Sequence, residues 1–172
     1  MPVTVTQLKT ALKIDYSTDD ADLLRLRDAA VDFITEYTGI SILPEKHTQY
    51  IPYWMKTRFE SFPFIGIESV KYYDSTNTLV TMPATDYFLI RSNPPSVYVN
   101  FREFPSIYED TEIEINYTTG YGDLPNHLQQ AVIAIVGAWY NNPEATAPIS
   151  LSTVPMSAQF ILDNMKVKGV LE

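Results

Sequence analysis

This sequence predicts an α+β fold: N-terminal helices and a long apolar helix, with an antiparallel β region inserted between them and an arm at the C-terminus. Three observations carry that expectation. Apolar residues recur at helical spacing before residue 40 and again after residue 125. Residues 47–118 are instead rich in Tyr, Phe, Val, Ile and Thr and are cut by Pro, Gly, Asn and Asp, the pattern of several short antiparallel strands. Third, Ala131 to Tyr140 contains no charged residue.

The first helix, placed at residues 4–14, opens on Thr4-Val-Thr-Gln7, a capping box, and carries Leu8, Ala11 and Leu12 at helical spacing. The second, residues 18–38, follows the cap signal Ser17-Thr-Asp-Asp20, and the dipole favours its early acids Asp19, Asp20 and Asp22. It turns Leu23, Leu26, Ala30, Phe33, Ile34 and Tyr37 inward and ends at Gly39, suited to a left-handed cap. The clearest strand is Asp110 to Thr118, where Ile113, Ile115 and Tyr117 alternate with Glu112, Glu114 and Asn116. Val97, Val99 and Phe101 repeat the alternation. Tyr87 to Ile90 and Val70 to Tyr73 are further strands, the latter followed by a turn at Ser75-Thr-Asn77. The long helix, residues 125–141, has Pro125 in its first turn, where a missing N–H costs nothing. Leu128, Val132, Ile135 and Trp139 form its stripe. Ile133, Gly137 and Tyr140 make the other side apolar as well, so this helix is expected to be enclosed on both sides. Ile135 and Trp139 belong to the domain core, and Ile133 and Tyr140 to a subunit interface. Residues 143–155 contain three prolines and form an arm, and Ala158 to Lys168 a short last helix ending at Gly169. The expected organisation is one domain over residues 1–142 and a C-terminal arm and helix over 143–172.

Composition narrows the function. The 172 residues fit one domain, with 45% hydrophobic content to build a core. A formal charge of −9 argues for solubility and against a surface that grips nucleic acid phosphates. With no cysteine, disulfides, thiol chemistry and cysteine-ligated zinc are excluded. No segment reads as a signal peptide or membrane span. The two histidines, His47 and His127, have no nucleophile or ligand partner at a matching spacing. Asp28, Asp32 and Glu36 share a helix face, which reads as a solvated surface first and as a channel stripe or metal site second. Tyr53-Trp-Met55 and Phe59 to Phe64 form an aromatic cluster, either a hairpin packed on the core or a partner patch. No catalytic residue, metal or cofactor is expected. From Glu103 to Met165 there are eight acidic residues and no Lys or Arg, partly explained by a buried helix and a wet strand face.

The order of these signals resembles a known family. Two helices end in Glu36-Tyr-Thr-Gly39. Phe62-Pro63-Phe64-Ile65 and Glu68-Ser-Val-Lys-Tyr-Tyr-Asp74 follow, then Asn116-Tyr-Thr-Thr-Gly-Tyr121, Leu124-Pro125 and a long helix starting Leu128-Gln-Gln-Ala131. This set, over residues 3 to 142, is similar to the tailed-phage head–tail connector, or adaptor, proteins. The usual charged pair after the long helix is replaced here by Asn141-Asn142-Pro143. The resemblance implies a non-enzymatic virion protein at the head–tail interface, assembled in the host cytoplasm. It implies a ring of about twelve copies under the portal protein that extends the DNA channel and docks a tail completion or stopper protein. Duplex DNA would pass through without specific binding, and no membrane is involved. On this reading the C-terminal element, with Phe160, Ile161, Leu162, Met165, Lys166 and Lys168, contacts the portal, and Glu112 and Glu114 face the channel. The competing reading for that element is a helix packed back on its own domain. The alternatives for the whole chain are a small-ligand-binding or enzymatic α+β domain with a pocket formed by residues 47–118, or another virion part such as a tail completion protein.

Overall fold

The computed structural model describes residues 3–92, 96–142 and 154–166. Its contacts divide the chain into two compact units, residues 1–43 with 121–172 and residues 44–120. The fold is α+β, the first unit helical and the second built of strands.

The helical unit contains α1 (Val5–Leu12), α2 (Asp20–Thr38), α3 (Asn126–Asn141) and α4 (Met156–Met165). The capping box forms at α1: Thr4 Oγ1 accepts from the Gln7 amide at 3.2 Å, and Gln7 Oε1 accepts from the Thr4 amide at 2.8 Å. Gly39 ends α2 at φ 70, donating its N–H to Thr35 O at 2.9 Å. A left-handed residue at this point favours glycine. Asp19 departs from expectation. It occupies the N-cap position of α2, yet its side chain caps no amide, because its carboxylate accepts from the Tyr140 hydroxyl of α3. Pro125 is the N-cap residue of α3 rather than part of its first turn. Leu23, Ala30 and Ile34 of α2 are buried with Leu128, Val132, Ile135 and Trp139 of α3 and with Ala158 and Leu162 of α4. Phe33 packs edge-on to Trp139, centroids 6.2 Å apart.

In the strand unit, a four-stranded antiparallel sheet has the order β1-β7-β3-β4, from β1 (Glu45–Ile51), β3 (Phe64–Tyr73), β4 (Leu79–Thr81) and β7 (Ile113–Thr119). A three-stranded antiparallel sheet has the order β2-β6-β5, from β2 (Thr57–Arg58), β5 (Tyr87–Ser92) and β6 (Ser96–Phe101). Both contribute to one core: Val70, Ile113 and Ile115 from the first sheet, Val97, Val99 and Phe101 from the second, and Phe59 ahead of β3. The strict alternation of β7 follows from one covered and one wet face. The turn after β3 is built by Asp74, whose Oδ1 accepts from the Thr76 and Thr78 amides at 2.8 and 3.1 Å.

Trp139 is 5% exposed and joins α3 to Phe33. Trp139→Ala is expected to cost about 3–5 kcal/mol through lost burial and the cavity left behind. Urea denaturation of the variant beside wild type measures it.

Candidate functional site

One side of α3 packs inward and the other is half open. Gly137 allows α1 to approach: a Cβ there would lie 2.9 Å from Leu12 Cδ2. Around it, Ile133, Ala134 and Ala138 are half-buried, and Gln130 and Asn141 at the ends are exposed. These positions recur three and four residues apart and form one uncharged stripe. Tyr140 borders it, also half-buried. Its hydroxyl donates to Asp19 at 2.5 Å and lies 3.1 Å from the Tyr16 hydroxyl. The hydrogen bond to the Asp19 carboxylate, then the one to Tyr16, raises the Tyr140 pKa well above that of a free phenol. A neutral phenol is therefore the donor, and it ties the α1–α2 loop to the end of α3.

The C-terminal helix is packed back on its own unit. Ala158 and Leu162 are fully buried against α2 and α3, and Ile161 and Met165 lean on the same core. Leu162, expected at the portal contact, therefore has its side chain enclosed within this unit. The physical reason is the spacing of Ala158 and Leu162, which gives α4 one inward row. A polar clamp holds the helix end: the Tyr37 hydroxyl donates to Asp163 at 2.5 Å, and Lys166 Nζ sits 4.6 Å from the Tyr37 ring centroid. The hydrogen bond from Tyr37 to the Asp163 carboxylate raises the Tyr37 pKa. On the outward side Met156 and Phe160, 86% and 72% exposed, stand one turn apart. Lys168 lies outside the described residues.

Glu112 is exposed and Glu114 half-buried on the wet side of the four-stranded sheet. That side is a polar ladder. Lys46 Nζ donates to Glu68 at 2.8 Å, and Thr118 donates to the same carboxylate at 2.8 Å. Glu114 accepts from Asn116 Nδ2 at 2.6 Å and from Lys71 Nζ at 3.3 Å, while Thr48 donates to Asn116 at 2.7 Å. The Asn116 hydrogen bond, then Lys71, holds the Glu114 pKa below the usual range, and Lys46, then Thr118, does so for Glu68. Glu68 and Glu114 thus each sit against a lysine, so neither is an uncompensated charge. Among the described residues Glu112 has no lysine partner, and it lines an open cleft of about 400 Å³ with Tyr108, Glu109 and Asp110.

The other candidates are ordinary. His47 stacks on Tyr117, centroids 5.5 Å apart, and its Nε2 is 3.8 Å from a Glu45 carboxylate oxygen. His127 is exposed, as are Asp28, Asp32 and Glu36, and Asp28 pairs with its neighbour Arg27 at 2.7 Å. Among the described residues no group of three or more His, Asp or Glu side chains is placed to hold a metal ion. No helix among them is long and apolar enough to cross a membrane. Much of the aromatic cluster is core: Phe59 and Phe62 are buried, and Trp54 Nε1 donates to Pro105 O at 2.7 Å, which leaves Tyr53 and Met55 exposed.

Comparison with known proteins decides the family, since the profile of the head completion proteins matches residues 3–150. The chain belongs to that family. As a head completion protein it is a structural, non-enzymatic part of a phage-like particle. Its fold is shared with chains of gene transfer agent particles. One from the neck of the empty particle with C6 symmetry is 17% identical, with 99% of this chain and 92% of that chain covered at a TM-score of 0.72. One from the native virion is also 17% identical, with the same coverages and a TM-score of 0.73. A third, from the neck of the native particle with C12 symmetry, is 19% identical, covers 97% of this chain and 90% of that chain, and has a TM-score of 0.69. Comparison with curated proteins gives no match.

Sequence reasoning on this head completion protein missed the two tyrosine–carboxylate ties and Met156. The ties join positions more than a hundred residues apart, for which one sequence holds no signal. Met156 follows Pro155 and precedes Phe160 by four positions, a spacing that does mark a shared face.

Glu68, Asp74 and Glu114 all hold their protons less readily than free carboxyls. Their contribution is therefore complete above the unfolded-state values and is lost as pH falls through the lower folded-state ones. The melting temperature should be level down to about pH 5 and fall below it. The difference between wild type and Glu114→Gln should be widest near pH 7 and shrink as acid protonates Glu114, which thermal melts from neutral to acid pH would test.

Proposed function

We propose that this head completion protein is a head–tail connector, forming a ring of about twelve copies under the portal, extending the DNA channel and docking a tail completion or stopper protein. Its place would be the virion head–tail interface, after assembly in the host cytoplasm. The observation that carries this reading is the likeness of 99% of the chain to a chain of a particle neck, together with the family match. Ring closure needs two different patches on each copy, because a head-to-tail joint closes by rotation. The stripe around Ile133, with the rim of Tyr140, suits one of them: it is apolar, uncharged and half open in the monomer.

Phe160, 72% exposed, is the most open of the apolar residues expected at the portal contact. The edges of Ile161 and Met165 and the charge of Lys166 adjoin it, and Leu162 supports the helix from inside. The wet face with Glu114 suits a passage wall by its balance. Acids paired with lysines release few counterions from passing DNA, so the wall would hold no phosphate firmly. Glu112 supplies the remaining repulsion. Tight, salt-sensitive binding of duplex DNA by the purified protein would refute this arrangement.

Ile133→Asp should cost the monomer about 1–2 kcal/mol, well short of Trp139→Ala, and abolish rings on portal-bearing heads. Electron microscopy of co-assembled heads reads the rings, and denaturation reads the fold. Equal melting of the two variants would make Ile133 a core residue only. Phe160→Asp should leave the melting temperature within about 2 °C of wild type and reduce attachment to those heads, as measured by co-sedimentation. Normal attachment would remove Phe160 from the portal contact.

A further inference from the structure

Strand β5 leaves one edge unpaired. It forms the rim of its sheet, pairs with β6 over six residues without a register shift, and no backbone hydrogen bond reaches its outer side among the described residues. Its sequence, Tyr87-Phe-Leu-Ile-Arg-Ser92, has no proline, no lysine and no bulge, and Arg91 is its one charged residue. Phe88 and Leu89 are both 36% exposed. Such an edge is a template for another strand.

The other open edges differ. β2 and β4 have two and three residues. β3 is open on its outer side before Val70, but two register shifts bend that stretch. β1 remains, seven residues long, unbulged and on the rim of the four-stranded sheet. Among the described residues there are therefore two long, unbulged, open edges, and they are different edges. That is what a head-to-tail joint between identical copies requires.

We propose that β5 of one copy pairs antiparallel with β1 of the next copy, with Arg91 opposite Glu45. This rests on the ring reading above and names a joint within it. Arg91 is exposed and has no acidic partner among the described residues, and Glu45 faces only His47 at 3.8 Å. With Arg91 opposite Glu45, Leu89 falls opposite His47 and Tyr87 opposite Gln49. This register keeps faces matched. Tyr87 and Leu89 sit beside the buried Phe101 and Val99, and His47 and Gln49 beside the buried Tyr117 and Ile115. A slip of one residue would set Arg91 against Lys46 and turn Phe88 to the covered side, so charge and pattern select the same register.

The natural chain has no cysteine, which makes a disulfide test clean. Glu45→Cys and Arg91→Cys are combined in the full chain, and oxidation follows on the purified protein and on portal-bearing heads. Opposed strand positions bring the two sulfurs within bonding reach. The expected result is a ladder of covalent oligomers from the assembled heads, absent with either single variant. In parallel, Glu45→Arg or Arg91→Glu alone should cut ring yield about tenfold, and the two together should restore it. Rings that form without cross-links overturn the joint and leave the connector reading intact. Covalent dimers from Arg91→Cys alone overturn it in favour of β5 pairing with itself. Heads that carry no ring of this protein overturn the connector reading and the joint with it.

Discussion

The helical unit depends on the burial of α3. It carries no charge along its whole length, so nothing on it resists enclosure, and α1, α2 and α4 each pack against it. Leu128, Val132, Ile135 and Trp139 are covered by α2 and α4, and Gly137 gives α1 room on another side. The constraint runs in both directions. Short helices such as α1, eight residues, and α4, ten residues, are marginal alone in water and hold their shape through packing. Removing the central helix would leave both without a template.

Two tyrosine–carboxylate ties set the ends of that packing. Tyr140 reaches Asp19 across the start of α2, and Tyr37 reaches Asp163 near the end of α4. In each, a neutral phenol donates to a charged acceptor, a hydrogen bond stronger than a neutral pair. Burial sets which faces meet, and these directional bonds set how far along each helix they meet. The first tie gives the Asp19 carboxylate, which caps no amide of α2, a donor from another helix.

The elements were legible in the sequence because each rests on local chemistry. The Thr4–Gln7 capping box, the Gly39 cap and the alternation of Ile113, Ile115 and Tyr117 need only neighbours a few residues away. Trp139 and Ile135 were legible as core because the helical period assigns them one side. The contact surfaces were less legible. Phe160 and Leu162 both belong to an apolar run, and only the packing of α4 on α2 and α3 separates the exposed one from the buried one. The pairing of Glu114 was not legible, because Lys71 lies far away in sequence and next to it across the sheet. Pairings between strands are non-local, so the charge of a sheet face cannot be summed along a single strand.

On the proposed ring reading, the half-open stripe on α3 suits a protein that stays apart until it meets its template. Ala134 and Ala138 are small and Ile133 is partly covered, so the stripe adds little exposed apolar surface. A joint of that size is weak by itself, because association must first offset the loss of free motion. In the proposed ring each copy meets two neighbours and a portal subunit, and the first contact raises the effective concentration for the others. Weak joints that act together in this way favour closure on a template over polymerisation in solution. Strong joints would do the reverse, since a head-to-tail contact tight enough to hold alone would string free copies into filaments before any head was ready.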